Sequence, residues 1–176
     1  MRDLYRSKVV DEMKREFGYT NPMAVPKMSK IIVSMGVGKA ALDKKYIESA
    51  KKELAMIAGQ IPLVCKAKKS VSNFKVREGM ETGLKVTLRG IRMYEFMDRL
   101  VSLAIPRVRD FRGLNPRGFD GRGNYSMGLA EQTVFPEVDP VQVESTQGMN
   151  ITFVTTARTD EEAKRLLSNL GMPFRE

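Results

Sequence analysis

The chain has no histidine and no tryptophan, a single cysteine, and only 7% aromatic residues across 176 positions. Each shortage removes a class of function. Without imidazole there is no histidine general base, no Ser-His-Asp triad and no histidine-ligated zinc. One thiol, Cys65, closes no internal disulfide and builds no metal cluster, so a cytoplasmic setting is expected. Following Leu63 and Val64, it reads as a half-buried strand residue with a structural role. No apolar run approaches 18 residues, and a charged amphipathic stretch stands where the apolar segment of a signal peptide would lie. Neither membrane spanning nor export is expected.

Positive charge is in excess. Lysine and arginine number 30 against 21 acids, for a net charge of +9, on a chain whose 42% hydrophobic fraction marks it as folded. The surplus is confined to two stretches. Between Lys66 and Arg92 eight basic residues face two acids, and between Arg107 and Arg122 five face two; the remainder carries 17 of each sign. A polyanionic partner would account for such stretches. Solvated faces are the plainer reading of either one taken alone.

The apolar spacing of Tyr5, Val9, Val10, Met13 and Phe17 predicts a helix from Arg2 to Phe17, followed by a loop from Gly18 to Pro26. Ile31, Val33 and Met35 alternate as a strand, which the Gly36-Val37-Gly38 turn ends. A second helix is expected from about Ala40 to Ala58, with Ile47, Ala50, Leu54 and Ile57 buried and Gly59 as its stop. Leu63 to Lys66 and Phe74 to Arg77 read as extended segments flanking a basic tip from Ala67 to Asn73. The stretch Leu84 to Arg89 alternates apolar residues with basic or hydroxylic ones, so one face of that strand can meet RNA.

Met93, Phe96, Met97, Leu100 and Leu103 predict a third helix closed by Pro106, after which a loop rich in glycine and arginine leads to strands at Tyr125 to Leu129 and around Ile151 to Thr155. Thr159 and Glu162 form a capping box, and Ala163, Leu166, Leu167 and Leu170 line a final helix before Gly171. The 12 methionines read as core packing. No repeat or low-complexity tract is evident. The irregular mixture predicts one α+β domain over residues 1–176: a largely antiparallel twisted sheet, shared by halves of about 1–80 and 81–176, with helices on one face and long basic loops.

Two motifs invite chemistry. Gly36-x-Gly38-x-x-Ala41 fits the permissive dinucleotide fingerprint between a strand and a helix, and it supports an alternative reading as a nicotinamide-dependent enzyme. That fingerprint wants an acid at the end of the next strand, where Val64-Cys65-Lys66 stands. The same glycines would let the backbone come close to an RNA phosphate or ribose. At the basic tip, Lys66, Lys68, Lys69, Ser70, Asn73, Phe74, Lys75 and Arg77 combine cations, short hydrogen-bonding side chains and one ring, a mixture suited to RNA. The ring of Phe74 could stack on a base; core burial is the favoured reading for it. The arginine-rich stretch could equally be an idle surface loop. No cofactor, metal or small-molecule substrate is expected, and a non-specific RNA binder stands as a further alternative.

The residues also resemble a family, that of bacterial large-subunit ribosomal protein five. The resemblance covers nearly the whole chain and rests on Met35-Gly-Val-Gly38, Ile57-Ala-Gly-Gln60-Ile-Pro62, Lys66-Ala-Lys-Lys-Ser-Val71, Gly83-Leu-Lys-Val-Thr-Leu-Arg-Gly90, Arg92-Met-Tyr-Glu-Phe96, Pro106-Arg-Val-Arg-Asp-Phe-Arg-Gly113, Phe119-Asp-Gly-Arg-Gly-Asn-Tyr125, Phe135-Pro-Glu137 and Gly171-Met-Pro-Phe174. It implies a non-catalytic constituent of the central protuberance with several partners. These are 5S rRNA and 23S-type rRNA, with 5S contacts carried to Lys30, Ser34, Met35, Gly36, Val37, Gly38, Gln60, Thr87 and Arg89. They include P-site tRNA, at Lys66, Lys68, Lys69, Ser70, Ser72, Asn73, Lys75 and Arg77. A small-subunit head protein would meet Phe111, Arg112, Asn115, Arg117, Val141, Gln142 and Gln147. Two departures stand out: Ser34 replaces the asparagine usual before Met-Gly-Val-Gly, and Ser72-Asn73 replaces the usual alanine and glycine.

Overall fold

A computed structural model describes residues 1–38, 45–141, 143 and 145–175. Its strands are β1 (Met28–Gly36), β2 (Leu63–Lys66), β3 (Glu81–Leu88), β4 (Tyr125–Leu129) and β5 (Met149–Thr155), and its longer helices are α1 (Val10–Phe17), α2 (Lys45–Ala58), α3 (Gly90–Arg99) and α4 (Asp160–Asn169). The strands form one antiparallel sheet in the order β2-β3-β1-β5-β4, so the fold is α+β as expected. In β1, Ile31, Val33 and Met35 are buried while Lys30, Ile32 and Ser34 are half-exposed; in β3, Leu84, Val86 and Leu88 are buried while Lys85 is exposed and Thr87 half-exposed. Side chains alternate along a strand, so β1 and β3 each give one face to the core and leave the other open.

The topology removes the dinucleotide alternative. The strand after α2 is β2, which pairs antiparallel with β3 and is separated from β1 by that strand. A dinucleotide site requires the two parallel strands of its strand, helix, strand unit to lie side by side, and here β3 stands between them.

The chain divides into two compact units. One comprises Met1–Ile31, Leu88–Met127 and Thr152–Glu176. Its core holds Val9, Met13, Met93, Phe96, Met97, Leu100, Leu166, Leu167 and Leu170, all essentially inaccessible, together with an aromatic cluster of Phe119, Tyr125, Phe153 and Phe174. The expected first helix is present but includes a π-helical segment, Tyr5–Val9, ahead of α1, and the third passes from α3 into a second such segment, Leu100–Ala104, before a 3-10 turn containing Pro106. The wider winding shifts the phase of the buried stripe. Leu103, expected inside, is 46% exposed for that reason, while Ala104 is buried.

At α4, the Thr159 hydroxyl accepts from the Glu162 amide at 3.3 Å, as the capping motif requires. The Glu162 carboxylate reaches one residue further back than usual, to the amide of Arg158 at 2.9 Å.

The other unit comprises Ile32–Thr87 and Gly128–Ile151. Its apolar core is Val33, Met35, Val37, Ile47, Leu54, Ile57, Leu84, Val86, Phe135, Met149 and Ile151. The described part of the second helix is Lys45–Ala58, stopped by Gly59 at φ +63; the expected start at Ala40 lies outside the described residues. Two methionines expected in the core are at the surface, Met56 here (52% exposed) and Met23 in the first unit (86%).

Candidate nucleic-acid interface

The turn after β1 is built from both faces of its strand. Met35 and Val37 are buried, so their side chains serve packing and only their backbone is available to a partner. The Val37 amide is held by the Thr82 carbonyl at 2.9 Å. Gly36 and Gly38 are exposed, their φ angles are not positive, and a Cβ added at either would meet no atom within 4 Å. Neither backbone strain nor a neighbouring segment among the described residues therefore demands glycine at these positions. Their missing side chains leave bare backbone facing outward, where a phosphate or ribose can approach closely.

In the same unit Ser34 lies on the open face of β1, and Thr87 with Lys85 on that of β3; Gln60, half-exposed, follows α2. Lys30 belongs to the open face at the other end of β1, and Arg89 is exposed at the residue preceding α3. Lys85 was not assigned a contact from the sequence, although the alternation that singles out Thr87 places it on the same face.

The basic tip spans residues 67–80 and is not a pair of strands. Segment 74–77, expected to be extended, instead follows a 3-10 turn (Ser72–Phe74) and reverses at Lys75, which takes the left-handed conformation at φ +53. The tip has its own bonds. The Val71 and Val76 amides and carbonyls exchange hydrogen bonds at 2.8 and 3.2 Å, Ala67 and Gly79 are tied to Met80 and Ala67 carbonyls, and the Ser70 hydroxyl accepts from the Glu78 amide at 2.9 Å. At its base, the β2–β3 register shifts between Cys65 and Lys66. Lys66, Lys68, Lys69, Ser70, Ser72, Asn73, Lys75 and Arg77 are all exposed. Ser70, Ser72, Lys75, Val76 and Arg77 line an open cleft of about 410 Å³. Phe74, expected in the core, is 76% exposed, because the turn that ends in the Lys75 reversal carries it outward.

The arginine-rich segment lies in the first unit. Arg107, Arg109, Arg112, Arg117 and Arg122 are exposed, and no ion pair to them is found among the described residues. Asn115 organises its middle: the side chain accepts from the Arg117 amide at 3.0 Å and the carbonyl from the Tyr125 hydroxyl at 3.0 Å. Phe111 is half-buried. Of the remaining residues expected at a protein contact, Val141 is 91% exposed, Gln147 is half-buried, and Gln142 lies outside the described residues. A wholly buried polar residue, Gln132, escaped the sequence reading, because one glutamine inside an apolar segment has no periodicity of its own.

Among the described residues no group of histidine, cysteine and carboxylate side chains could hold a metal, and no helix is long and apolar enough to cross a membrane. The exposed functional side chains are cations, hydroxyls and amides, the donors that RNA accepts from.

Comparison with known proteins decides the family. A family model described as ribosomal protein L5 matches residues 21–77, and a second, described as the C-terminus of the same ribosomal family, matches residues 81–174. The chain belongs to the ribosomal protein L5 family. Among its relatives, large ribosomal subunit protein uL5 of Thermosipho melanesiensis is 57% identical over 175 residues, 99% of this chain and 96% of the relative. The uL5 protein of Dictyoglomus turgidum is 57% identical over 176 residues, covering 100% and 98%, and that of Geobacter sulfurreducens 53% over 175 residues, covering 99% and 98%. As an L5 protein the chain is a structural constituent of the large subunit in the cytoplasmic ribosome, associated with rRNA, and not an enzyme.

Proposed function

We propose that this L5 protein binds 5S rRNA and helps attach it to the large-subunit rRNA in the central protuberance. The observation that carries the reading is the turn at Gly36 to Gly38: two glycines that neither their backbone angles nor the described residues around them require, placed where β1 ends its open face. Ser34 and Thr87 supply hydroxyls able to reach a ribose and Lys85 a cation for phosphate, while in the other unit Lys30 and Arg89 offer cations of their own. The resemblance in sequence supplies the identity of the RNA; the geometry supports an RNA of some kind.

Two further contacts belong to the proposal. The exposed tip, Lys66 through Arg77, touches P-site tRNA, supported by its cations and its ordered, outward-facing turn. The segment around Phe111, Arg112, Asn115 and Arg117 in one unit, and that around Val141 and Gln147 in the other, each meet a small-subunit head protein, a reading supported by the resemblance in sequence.

Titration of the full chain against 5S rRNA and an unrelated folded RNA of equal length, across a range of salt, tests the central claim. The expected result is tighter binding to 5S rRNA at every salt concentration, with both affinities falling as salt rises. Equal affinity for the two would make the chain a non-specific RNA binder.

A further inference from the structure

We infer that Phe74 is a stacking platform for an unpaired nucleobase of the RNA that the tip meets. The inference rests on the reading of the tip as a tRNA contact and adds the chemistry of recognition at its centre. Three observations carry it.

First, the ring is 76% exposed, an unusual position for phenylalanine, and none of the ring contacts among the described residues involves it. Second, the ring is presented rather than left on a loose end. The 3-10 turn Ser72–Phe74 and the left-handed Lys75 fix its backbone, and behind them the Val71–Val76 bridge and the Ser70–Glu78 bond close the loop. Third, its surroundings suit an anion. Lys68, Lys69, Lys75 and Arg77 are exposed within six positions, against one acid, Glu78, and no ion pair among the described residues neutralises them.

An exposed ring on a cationic tip has a poor fit to an apolar protein pocket, since docking there would desolvate the lysines. It fits a nucleotide on both counts: the base offers a π-face, and the phosphates on either side of it offer charge. The cleft lined by Ser70, Ser72, Lys75 and Arg77 offers hydroxyls and cations to the attached ribose and phosphate. Stacking needs no particular base, so the contact tolerates tRNAs of different sequence.

The chain contains no tryptophan, so Phe74→Trp installs a single indole at the contact, whose emission can be excited apart from that of the five tyrosines. The full-length variant is titrated at low salt with deacylated tRNA and, separately, with a perfectly paired RNA duplex of equal phosphate content. Affinities of wild type, Phe74→Leu and Lys68→Ala/Lys69→Ala are measured by anisotropy of labelled tRNA.

Stacking predicts quenching by tRNA and little by the duplex, and about ten-fold weaker tRNA binding by Phe74→Leu, which keeps apolar bulk and loses the π-face. Absence of quenching, equal quenching by both RNAs, or undiminished binding by Phe74→Leu would overturn the stacking role. If Phe74→Leu binds normally while the lysine variant is weakened, only the stacking falls. If neither changes tRNA binding, the reading of the tip falls with it.

Discussion

The side-chain amide of Gln147 donates to the backbone carbonyl of Gly36 at 2.6 Å, joining residues 111 positions apart. The bond is the outer end of a chain. The Gln147 backbone N–H donates to the Gln132 side-chain oxygen at 2.6 Å, and the Gln132 side-chain nitrogen donates to both the Glu53 carboxylate (3.1 Å) and the Ser145 carbonyl (2.9 Å). Ser49 adds a hydroxyl to the other Glu53 oxygen at 3.0 Å. A buried carboxylate on α2 is thereby connected through one wholly buried glutamine to the turn proposed to meet RNA. Gln147, expected to touch a partner protein, has its amide occupied in supporting that turn.

Gln132→Leu preserves side-chain bulk but leaves the Gln147 backbone N–H without its acceptor and Glu53 without one of its donors. Groups so buried cost about 1–3 kcal/mol when left unpaired. The expected outcome is a lower denaturation midpoint with an unchanged slope, measured by urea unfolding. Gln132→Glu, which keeps the acceptor but sets a second carboxylate against Glu53, is expected to lose at least as much. An unaltered midpoint in both variants would show that the network contributes nothing to the fold.

Gly38→Ala separates folding from binding. The position has room for a Cβ and no positive φ, so the substitution is expected to leave the melting temperature unchanged or slightly raised, since alanine restricts the unfolded chain. Affinity for 5S rRNA is expected to fall several-fold, because a methyl group would hold the backbone away from its partner. Melting curves and filter binding on the same preparation check both halves. Wild-type affinity would remove close backbone approach from the proposed interface.

Thr87→Val deletes one hydroxyl from the open face of β3 at nearly constant shape. Thr87 is half-exposed, and no hydrogen bond to its hydroxyl is found among the described residues, so stability should change by less than about 0.5 kcal/mol. If the hydroxyl meets a ribose, 5S binding weakens by about 1 kcal/mol, or roughly five-fold. Isothermal titration measures the difference, and an unchanged affinity would exclude Thr87 from the contact.

The strands and longer helices were legible because burial imposes a period: Ile31, Val33 and Met35, or Ala163, Leu166, Leu167 and Leu170, repeat as their geometry demands. The stops at Gly59 and Gly171, both at positive φ, were legible from the same chemistry. Leu103 and Phe74 were not. Leu103 is displaced by a π-helical segment that leaves no mark in composition, and Phe74 by a reversal at Lys75, a residue type that seldom adopts positive φ. At the interface, side-chain types identified the exposed cations. The support of the Gly36 turn by Gln147 depends on residues far apart in the chain, which no local pattern reveals.

The loop between Phe119 and Tyr125 should respond to acid. The Asp120 carboxylate accepts from the Asn124 side chain at 2.7 Å, from the Asn124 amide at 3.0 Å and from the Arg122 amide at 2.9 Å. These bonds favour the ionised form, the Asn124 side chain most and then the two backbone amides, and they hold the Asp120 pKa below its ordinary value. A carboxylate depressed in the folded state contributes stability above its unfolded pKa, about 3.9, and that contribution disappears as pH falls through the lower folded value. Because Asp120 is solvent-exposed, the effect should be local, leaving the global unfolding midpoint nearly unmoved. The Asp160 carboxylate accepts from the Gly121 and Gly123 amides at 3.0 and 2.9 Å and ties the same loop to α4. The Arg122 and Asn124 amide resonances are therefore expected to shift together in an acid titration, with a midpoint below about 3.9, and Asp120→Asn should abolish that step. A midpoint at or above the ordinary carboxylate value would mean that the three bonds do not favour the charged form in solution.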